Sequence, residues 1–295
     1  MDAEKIIGLP KHHKRTFVTL LFALFLLSLI TTYLMDGHSA TTVILDQVKS
    51  ISSALITALF GFIIIVPFIP TAEKGESLEI PPGKITKEFD LLLASANRWR
   101  YKGNFGRYLR GKVLPTLCAR QNIHVTACLI DPADNDLCEA HAEYRAGINA
   151  IDKGTKYTAD LVATEVAVTI VIASWYATKR NMTIEIYLSK SFDPIRIDSN
   201  DEAMILTVED RRSPALKISR KHFTSEHFEL QMRTAKDQSK KINLEGMRKN
   251  IQIGEIQEPD VIAVMNNAGL ADLCTRLGAG YLLEACIKSK NPYEN

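Results

Sequence analysis

Two stretches of this 295-residue sequence contain no charged residue, namely residues 16–35 and residues 51–70. A helix rises about 1.5 Å per residue, so about twenty residues cross the roughly 30 Å hydrocarbon layer of a bilayer. Uncharged runs of this length are not typical of soluble core helices. The sequence therefore predicts a transmembrane hairpin over residues 16–70, with one span in each run.

The flanks of the first run predict the orientation of the hairpin. Lys5, Lys11, Lys14 and Arg15 fall in a short tail, residues 1–15. Lysine and arginine next to a span stay on the cytoplasmic side of a membrane. We therefore expect a multi-pass membrane protein whose N- and C-termini are both cytoplasmic.

Two other interpretations of these runs stay open. The first run resembles a cleaved signal peptide, since residues 37–40 read GHSA, and both runs resemble buried helices of a soluble protein.

Small residues four apart, at Ala54 and Ala58 and at Thr57 and Gly61, allow close approach of helices. They indicate either self-association through the hairpin or packing within it.

Acidic residues are also missing over a long stretch, because no Asp or Glu occurs between Asp90 and Asp131. Cations and aromatic residues alternate there, in NRWRYKGNFGRYLRGK (residues 97–112), where a glycine-bearing turn leads into a predicted helix. Such a pattern is typical of contact with nucleic acid, a nucleotide or anionic lipid headgroups. The residues predicted for this anion site are Arg98, Arg100, Lys102, Arg107, Arg110 and Lys112, with Trp99 and Tyr101 as stacking residues. The alternative is that the aromatics lie in the core and the arginines pair with the acid-rich run at residues 131–143.

Motifs for metals, disulfides and catalysis are absent as well. The five cysteines form no CxxC pair, which suits reduced thiols in a cytosolic domain. The histidines form neither HExxH nor a Ser-His-Asp order. Asp131, Asp134 and Asp136 favour a turn with local caps over a cation loop. We therefore predict no metal and no cofactor. The motifs leave the catalytic residues unknown and the question of enzymatic activity open, although they favour a protein that is not an enzyme.

The rest of the chain predicts a mixed domain. Residues 71–84 contain Pro-Pro-Gly and read as a linker. From residue 85 to residue 295, helical periodicity alternates with short β-rich runs, which indicates a cytosolic α/β domain. Residues 161–177 are apolar and read as a buried core helix, with a third membrane span as the alternative.

The order of these segments resembles a known superfamily. FDLLLASANRWRYKGNFGRYLRGKVLP, VTACLIDP, PIRIDSNDEAMILTVED, ALKI and DQSKKI follow one another as in divergent phospholipase-D-like domains of bacterial defence proteins. Active members carry HxK and a downstream Asp. Residues 85–295 contain no HxK. The resemblance therefore implies a degenerate phospholipase-D-like fold.

The layout of two spans followed by such a domain is similar to the two-transmembrane effectors encoded beside the reverse transcriptase of some retrons. This resemblance implies a toxic effector of abortive anti-phage defence in the bacterial inner membrane, which disrupts that membrane when a partner complex releases it. The implied partners are the lipid bilayer and a reverse transcriptase with its RNA/DNA product. The alternative hypothesis is a membrane-tethered phosphodiesterase or nuclease, with His222, Asp198 and Asp201 as suspected catalytic residues.

Overall fold

The computed structural model describes residue 30 and residues 40–65, 75–148, 154–210 and 212–288. The chain divides into two units, residues 1–72 and residues 73–295. In the first unit a 26-residue helix, α1, covers Ala40–Ile65. It takes in most of the predicted second span but begins earlier, inside the predicted connection. The first predicted span lies outside the described residues except for Ile30, so the hairpin stays a prediction.

The second unit is built on a mixed sheet. Its eight strands are β1 Ser77–Ile80, β2 Arg98–Lys102, β3 Ile123–Ile130, β4 Met182–Ser189, β5 Ile195–Ser199, β6 Ala203–Val208, β7 Ala215–Ser219 and β8 Lys240–Lys241. Their order is β1-β7-β6-β5-β2-β3-β4-β8. Strands β2, β3 and β4 are parallel to one another, and the other neighbours are antiparallel.

Helices cover both faces of the sheet. They are α2 Ile85–Ala94, α3 Leu114–Cys118, α4 Asn135–Gly147, α5 Ala159–Ala177, α6 Ser225–Asp237, α7 Glu258–Asn267, α8 Ala271–Leu277 and α9 Ala279–Ile287. Helix α5 packs on β4 and contacts α4, α7 and α9. Helix α6 lies on β2, β3 and β4, and its Met232 joins a small apolar cluster with Ile197 and Met204. The prediction of an α/β unit is confirmed.

Helix α5 is the apolar helix for which a third span was the alternative. Within the described residues it is the one helix long and apolar enough to cross a membrane, and 78% of its most apolar segment is buried inside the protein. From Val162 to Tyr176 nearly every side chain is buried. Helix α5 is therefore a core helix that the sheet and the surrounding helices enclose.

The segment predicted as a linker is structured where it is described. It carries β1 and a 3₁₀ turn at Pro82–Lys84, because β1 pairs with β7. Helix α2 ends at Ala94, and Arg98 opens strand β2. The C-terminal region forms the three helices α7, α8 and α9, and Gly269, with a positive φ of 73°, follows the end of α7.

Candidate functional site

Strand β2 explains why cations alternate with aromatic residues. Successive side chains of a strand point to opposite faces of the sheet. Arg98 and Arg100 therefore face α6, whereas Trp99 and Tyr101 face the core beneath α2 and α5. Trp99 is fully buried and Tyr101 is 5% exposed. The alternation in the sequence is the two-residue period of a strand with one charged and one apolar face.

The charged face of the sheet forms one wall of a cavity of about 650 Å³, and α6 forms the opposite wall. We call it the basic groove. The basic residues that line it are Arg98, Arg100, His124, Arg180, Arg233 and Lys236. They come from β2, β3, the turn before β4, and α6.

The strand register places the residues on the sheet wall of the basic groove next to one another. Arg98 pairs with His124 across β2 and β3, and His124 pairs with Thr183 across β3 and β4. Arg100 in turn lies opposite Thr126. These side chains share one face at the beginning of three parallel strands.

Three cations of the basic groove carry unbalanced charge. Arg98, Arg180 and Arg233 are exposed and make no ion pair with any residue that the structure describes. A cleft lined by one sign of charge focuses the field and concentrates ions of the opposite sign. The basic groove is therefore a candidate site for a polyanion.

One acidic residue, Glu229, lines the basic groove, and Arg100 has two carboxylate partners. Arg100 lies 2.6 Å from Asp201 and 3.6 Å from Glu229. Glu229 also forms an ion pair with Arg220. Arg100 is thus partly neutralised, unlike the other arginines of the basic groove.

The other predicted cations lie outside the basic groove. Arg107 and Arg110 share the carboxylate of Glu165, at 2.8 Å for Arg107. Burial opposes the ionisation of Glu165, but the two guanidiniums prevail and lower its pKa. These arginines are paired inside the protein, as the alternative interpretation expected, although their partner lies on α5 and not in the run at 131–143.

Lys102 and Lys112 are also paired. Lys102 is buried and bound to Asp193, and Lys112 lies 3.6 Å from Asp90 at the surface. That the predicted cations contact nucleic acid stays a prediction. Of those six cations, Arg98 and Arg100 line the basic groove.

The two predicted stacking residues are part of the core. Trp99 donates its Nε1–H to Asp198 at 3.2 Å. Burial raises the pKa of Tyr101 far above its ordinary value, and its hydroxyl accepts the amide N–H of Gly106 at 3.2 Å. A base needs an exposed ring face, which Trp99 lacks.

Four residues of the basic groove were not identified from the sequence: His124, Arg180, Arg233 and Lys236. They come from three separate segments, since His124 lies on β3, Arg180 lies in the turn before β4, and Arg233 and Lys236 share α6. Only the helical spacing of Glu229, Arg233 and Lys236 on α6 offered a signal, since residues three or four apart share a helix face.

A second polar cluster lies past the carboxyl ends of β2 and β6. Glu209 accepts hydrogen bonds from Asn104 at 3.0 Å and from Arg145, and it lies 3.2 Å from His141 Nε2. Burial alone would raise the pKa of Glu209, but His141 and Arg145 lower it to about 2. A carboxylate held ionised by three donors is a structural acceptor rather than a proton donor.

The suspected catalytic residues of the phosphodiesterase hypothesis do not form a constellation. His222 Nδ1 bonds to Thr224 Oγ1 at 2.7 Å, Asp201 pairs with Arg100, and Asp198 is fully buried. No hydrogen bond joins His222 to either aspartate among the described residues.

The acidic turn after β3 has a local role. Asp131 Oδ1 accepts from the amide of Ala133 at 3.0 Å, and Asp134 Oδ1 caps α4 by accepting from Leu137 N at 3.1 Å. The turn with side-chain caps is thus confirmed.

Comparisons with known proteins find weak structural likeness only. No family model and no curated protein matches the chain. An archaeal chromatin protein, TrmBL2, aligns at 12% identity over 70% of this chain and 72% of its own, with a TM-score of 0.33. The phospholipase D family member Nuc from Salmonella typhimurium aligns at 12% identity over 57% of this chain and 97% of its own, with a TM-score of 0.32. A phospholipase D family member is therefore among its structural neighbours, at a similarity too low to argue function.

Proposed function

We propose that this chain is a membrane-anchored effector of abortive anti-phage defence whose α/β unit binds nucleic acid in the basic groove. In this proposal, a complex of a reverse transcriptase and its RNA/DNA product holds the effector inactive. Release from that complex lets the membrane segment disrupt the inner membrane. The observation that carries the proposal is the basic groove with its three unbalanced arginines.

The chemistry of the basic groove favours the phosphate backbone over the bases. Arginine binds phosphate oxygens through its planar fork of donors. Exposed cations along a groove release counterions from nucleic acid when they bind it. The aromatic residues of β2 point to the other face, so we expect little base stacking and little sequence preference.

The membrane part of the proposal rests on the two uncharged runs. Residues 51–65 lie in the long helix α1. An anchored chain holds its α/β unit at the cytoplasmic surface, where binding of a large nucleoprotein and damage to the membrane are linked through a single polypeptide.

The experiment that tests the proposal compares two triple variants of the full-length chain in detergent micelles. The first replaces Arg98, Arg180 and Arg233 with Gln. The control replaces three exposed lysines elsewhere, Lys84, Lys190 and Lys249, with Gln.

Binding of a fluorescently labelled RNA/DNA hybrid is followed by anisotropy at several salt concentrations. The first variant should bind much more weakly, and its log Kd against log salt should flatten by about two to three. The control should resemble wild type. Equal losses in both variants, or none in the first, would contradict binding in the basic groove.

A further inference from the structure

The basic groove runs across the three parallel strands, alongside α6. At the β2 end, Glu229 of α6 lies 3.6 Å from Arg100. At the β4 end, Lys236 Nζ of the same helix lies 5.3 Å from the ring centre of Tyr187. Seven residues separate Glu229 from Lys236 on α6, which corresponds to about 10 Å along the helix axis. The helix therefore crosses β2, β3 and β4, and the basic groove follows it.

One row of side chains on the sheet wall has the same direction and length. Arg98, His124 and Thr183 are register partners on β2, β3 and β4, and each carries a group that can donate a hydrogen bond. Neighbouring strands lie about 4.8 Å apart, so the row spans about 10 Å. A ligand that lies along the basic groove therefore meets a donor at each strand.

Two threonines of the sheet wall contribute unused hydroxyls. Thr126 and Thr183 both line the basic groove. Neither side chain has a hydrogen-bond partner among the residues that the structure describes. Hydroxyls of this kind bond to the phosphate and sugar oxygens of nucleic acids. The sheet wall thus adds neutral donors to the cations.

Arginines border the basic groove from more than one side. Arg98 lies on the sheet wall, Arg180 lies in the turn before β4, and Arg233 lies on α6. A phosphate inside the groove would lie between cations of both walls. A phosphate that passes outside would meet only the exposed ends of these side chains.

The size of the basic groove limits which form of nucleic acid enters it. Its volume of about 650 Å³ falls within the range of clefts that hold one small molecule, about 300–1,000 Å³. A duplex is a stiff rod with both phosphate backbones on its outside, whereas a single strand is thinner and bends easily. A duplex can touch the arginines at the rim, but only a single strand can lie inside.

Helix α6 is poorly suited to enter the major groove of a duplex. A helix in that position brings its exposed face between two phosphate backbones. The exposed residues of α6 include Glu226, Leu230 and Asp237. Phosphates repel the two carboxylates, so this mode of duplex recognition is disfavoured.

We propose that the basic groove binds single-stranded nucleic acid, with its sugar-phosphate backbone along the groove between α6 and the row of Arg98, His124 and Thr183. This inference rests on the proposed function, because it names the form of nucleic acid that the same site takes. Tyr101, the tyrosine that lines the groove, is 5% exposed and offers no ring face for a base. Single strands of different sequence should therefore bind alike.

A bulky side chain on the sheet wall supplies the test variant. Thr183 is exposed on β4 and lines the basic groove. Thr183→Trp should fill the groove and leave its three unpaired arginines in place. Thr275 on α8 is also exposed and does not line the groove, so Thr275→Trp is the matched control.

The full-length chain in detergent micelles is titrated by anisotropy with three labelled probes. They are an oligothymidylate about ten nucleotides long, a blunt RNA/DNA hybrid of matching length, and the same hybrid with a single-stranded tail. The oligothymidylate and the tailed hybrid should bind at least about tenfold more tightly than the blunt hybrid, because only a single strand reaches the donors inside the groove. Thr183→Trp should remove this advantage, and Thr275→Trp should bind like wild type.

Photocross-linking of the wild-type chain gives a second measurement, which decides should Thr183→Trp fail to fold. An azidophenacyl group on a phosphorothioate of the oligothymidylate should cross-link to residues 98–100, 180–183 or 229–236. Cross-links confined to other segments, or a single-strand advantage that survives Thr183→Trp, would overturn the inference.

The three probes also separate this inference from the proposed function. A blunt hybrid that binds as tightly as the oligothymidylate would overturn the inference and leave nucleic-acid binding in the basic groove standing. The absence of binding by every probe would overturn both.

Discussion

Arg98 on β2 and His124 on β3 are register partners in a parallel pair, and both side chains open into the basic groove. The two residues are far apart in sequence, and the pairing of the strands alone makes them neighbours. Arg233 on α6 completes the opposite wall. The electrostatics of this surface are therefore a property of the sheet and one helix, and not of a single basic segment.

Glu229 should limit anion binding in the basic groove. Its carboxylate lies 3.6 Å from Arg100 and pairs with Arg220, so it occupies cations that would otherwise meet a phosphate. We expect Glu229→Gln to tighten binding of an RNA/DNA hybrid severalfold, which corresponds to roughly 1 kcal/mol for a partly exposed pair.

Anisotropy titrations at fixed salt concentration check this prediction. Glu226→Gln, on the exposed side of the same helix, is the control and should leave the affinity unchanged. An affinity that falls in Glu229→Gln would show that this carboxylate organises the basic groove rather than competing for its cations.

Arg110 should contribute to stability and not to binding. Its buried guanidinium donates to Thr169 Oγ1 at 2.7 Å and to the backbone oxygen of Glu165 at 3.0 Å, and it pairs with the Glu165 carboxylate. Arg110→Ala removes these bonds and leaves Glu165 with Arg107 only. We expect a loss of roughly 3 kcal/mol in the free energy of unfolding.

Thermal melting followed by tryptophan fluorescence measures this effect, and Arg98→Gln is the comparison. Arg98→Gln should melt like wild type while it weakens nucleic-acid binding, and Arg110→Ala should do the reverse. Similar melting temperatures for the two variants would contradict the assignment of Arg110 to the core.

The low pKa of Glu209 predicts that the folded protein loses stability in acid. Its pKa is about 2 in the folded protein and has an ordinary value of 4.5, so the folded state holds this proton less tightly than the unfolded state does. The resulting stabilisation is complete above about pH 4.5 and is lost as the pH falls towards 2. One pKa unit corresponds to 1.36 kcal/mol, so the loss is about 3 kcal/mol.

Melting curves between neutral pH and pH 2 test whether the stability of the folded protein falls with pH as predicted. Glu209→Gln should melt at a lower temperature than wild type at neutral pH and should show a flatter decline below pH 4.5. A variant as acid-sensitive as wild type would assign the transition to other carboxylates.

The membrane hypothesis makes its own prediction at Ile64. A lysine at this position would lie inside the predicted second span and cost about 3 kcal/mol of insertion free energy. We expect Ile64→Lys to abolish depolarisation of cells that express the chain, as measured with a potential-sensitive dye.

The control for this variant is Ile44→Lys, in the same helix but before the predicted span, where the side chain is 54% exposed. Depolarisation should persist in Ile44→Lys. Persistent depolarisation in cells that express Ile64→Lys would argue that the membrane segment is not the toxic element.

Much of the α/β unit could be predicted from sequence because its signals are local. Short β-rich runs are present as strands, among them β3 before Asp131 and β4 from Met182, and α5 is a buried helix, as predicted. The predicted anion site was only partly informative. Whether a cation faces solvent or a carboxylate depends on partners distant in sequence, such as Glu165 for Arg107.

The sequence by itself determined the uncharged runs, the alternation of β2 and the absence of catalytic spacing, because these depend on neighbouring residues. The tertiary structure decided which cations meet. Parallel pairing of β2, β3 and β4 and the packing of α6 gathered scattered single charges into the basic groove, while α5 brought Glu165 to Arg107 and Arg110 and neutralised much of the most basic segment. Which charges neutralise one another depends on which side chains are close in three dimensions, and the fold decides that.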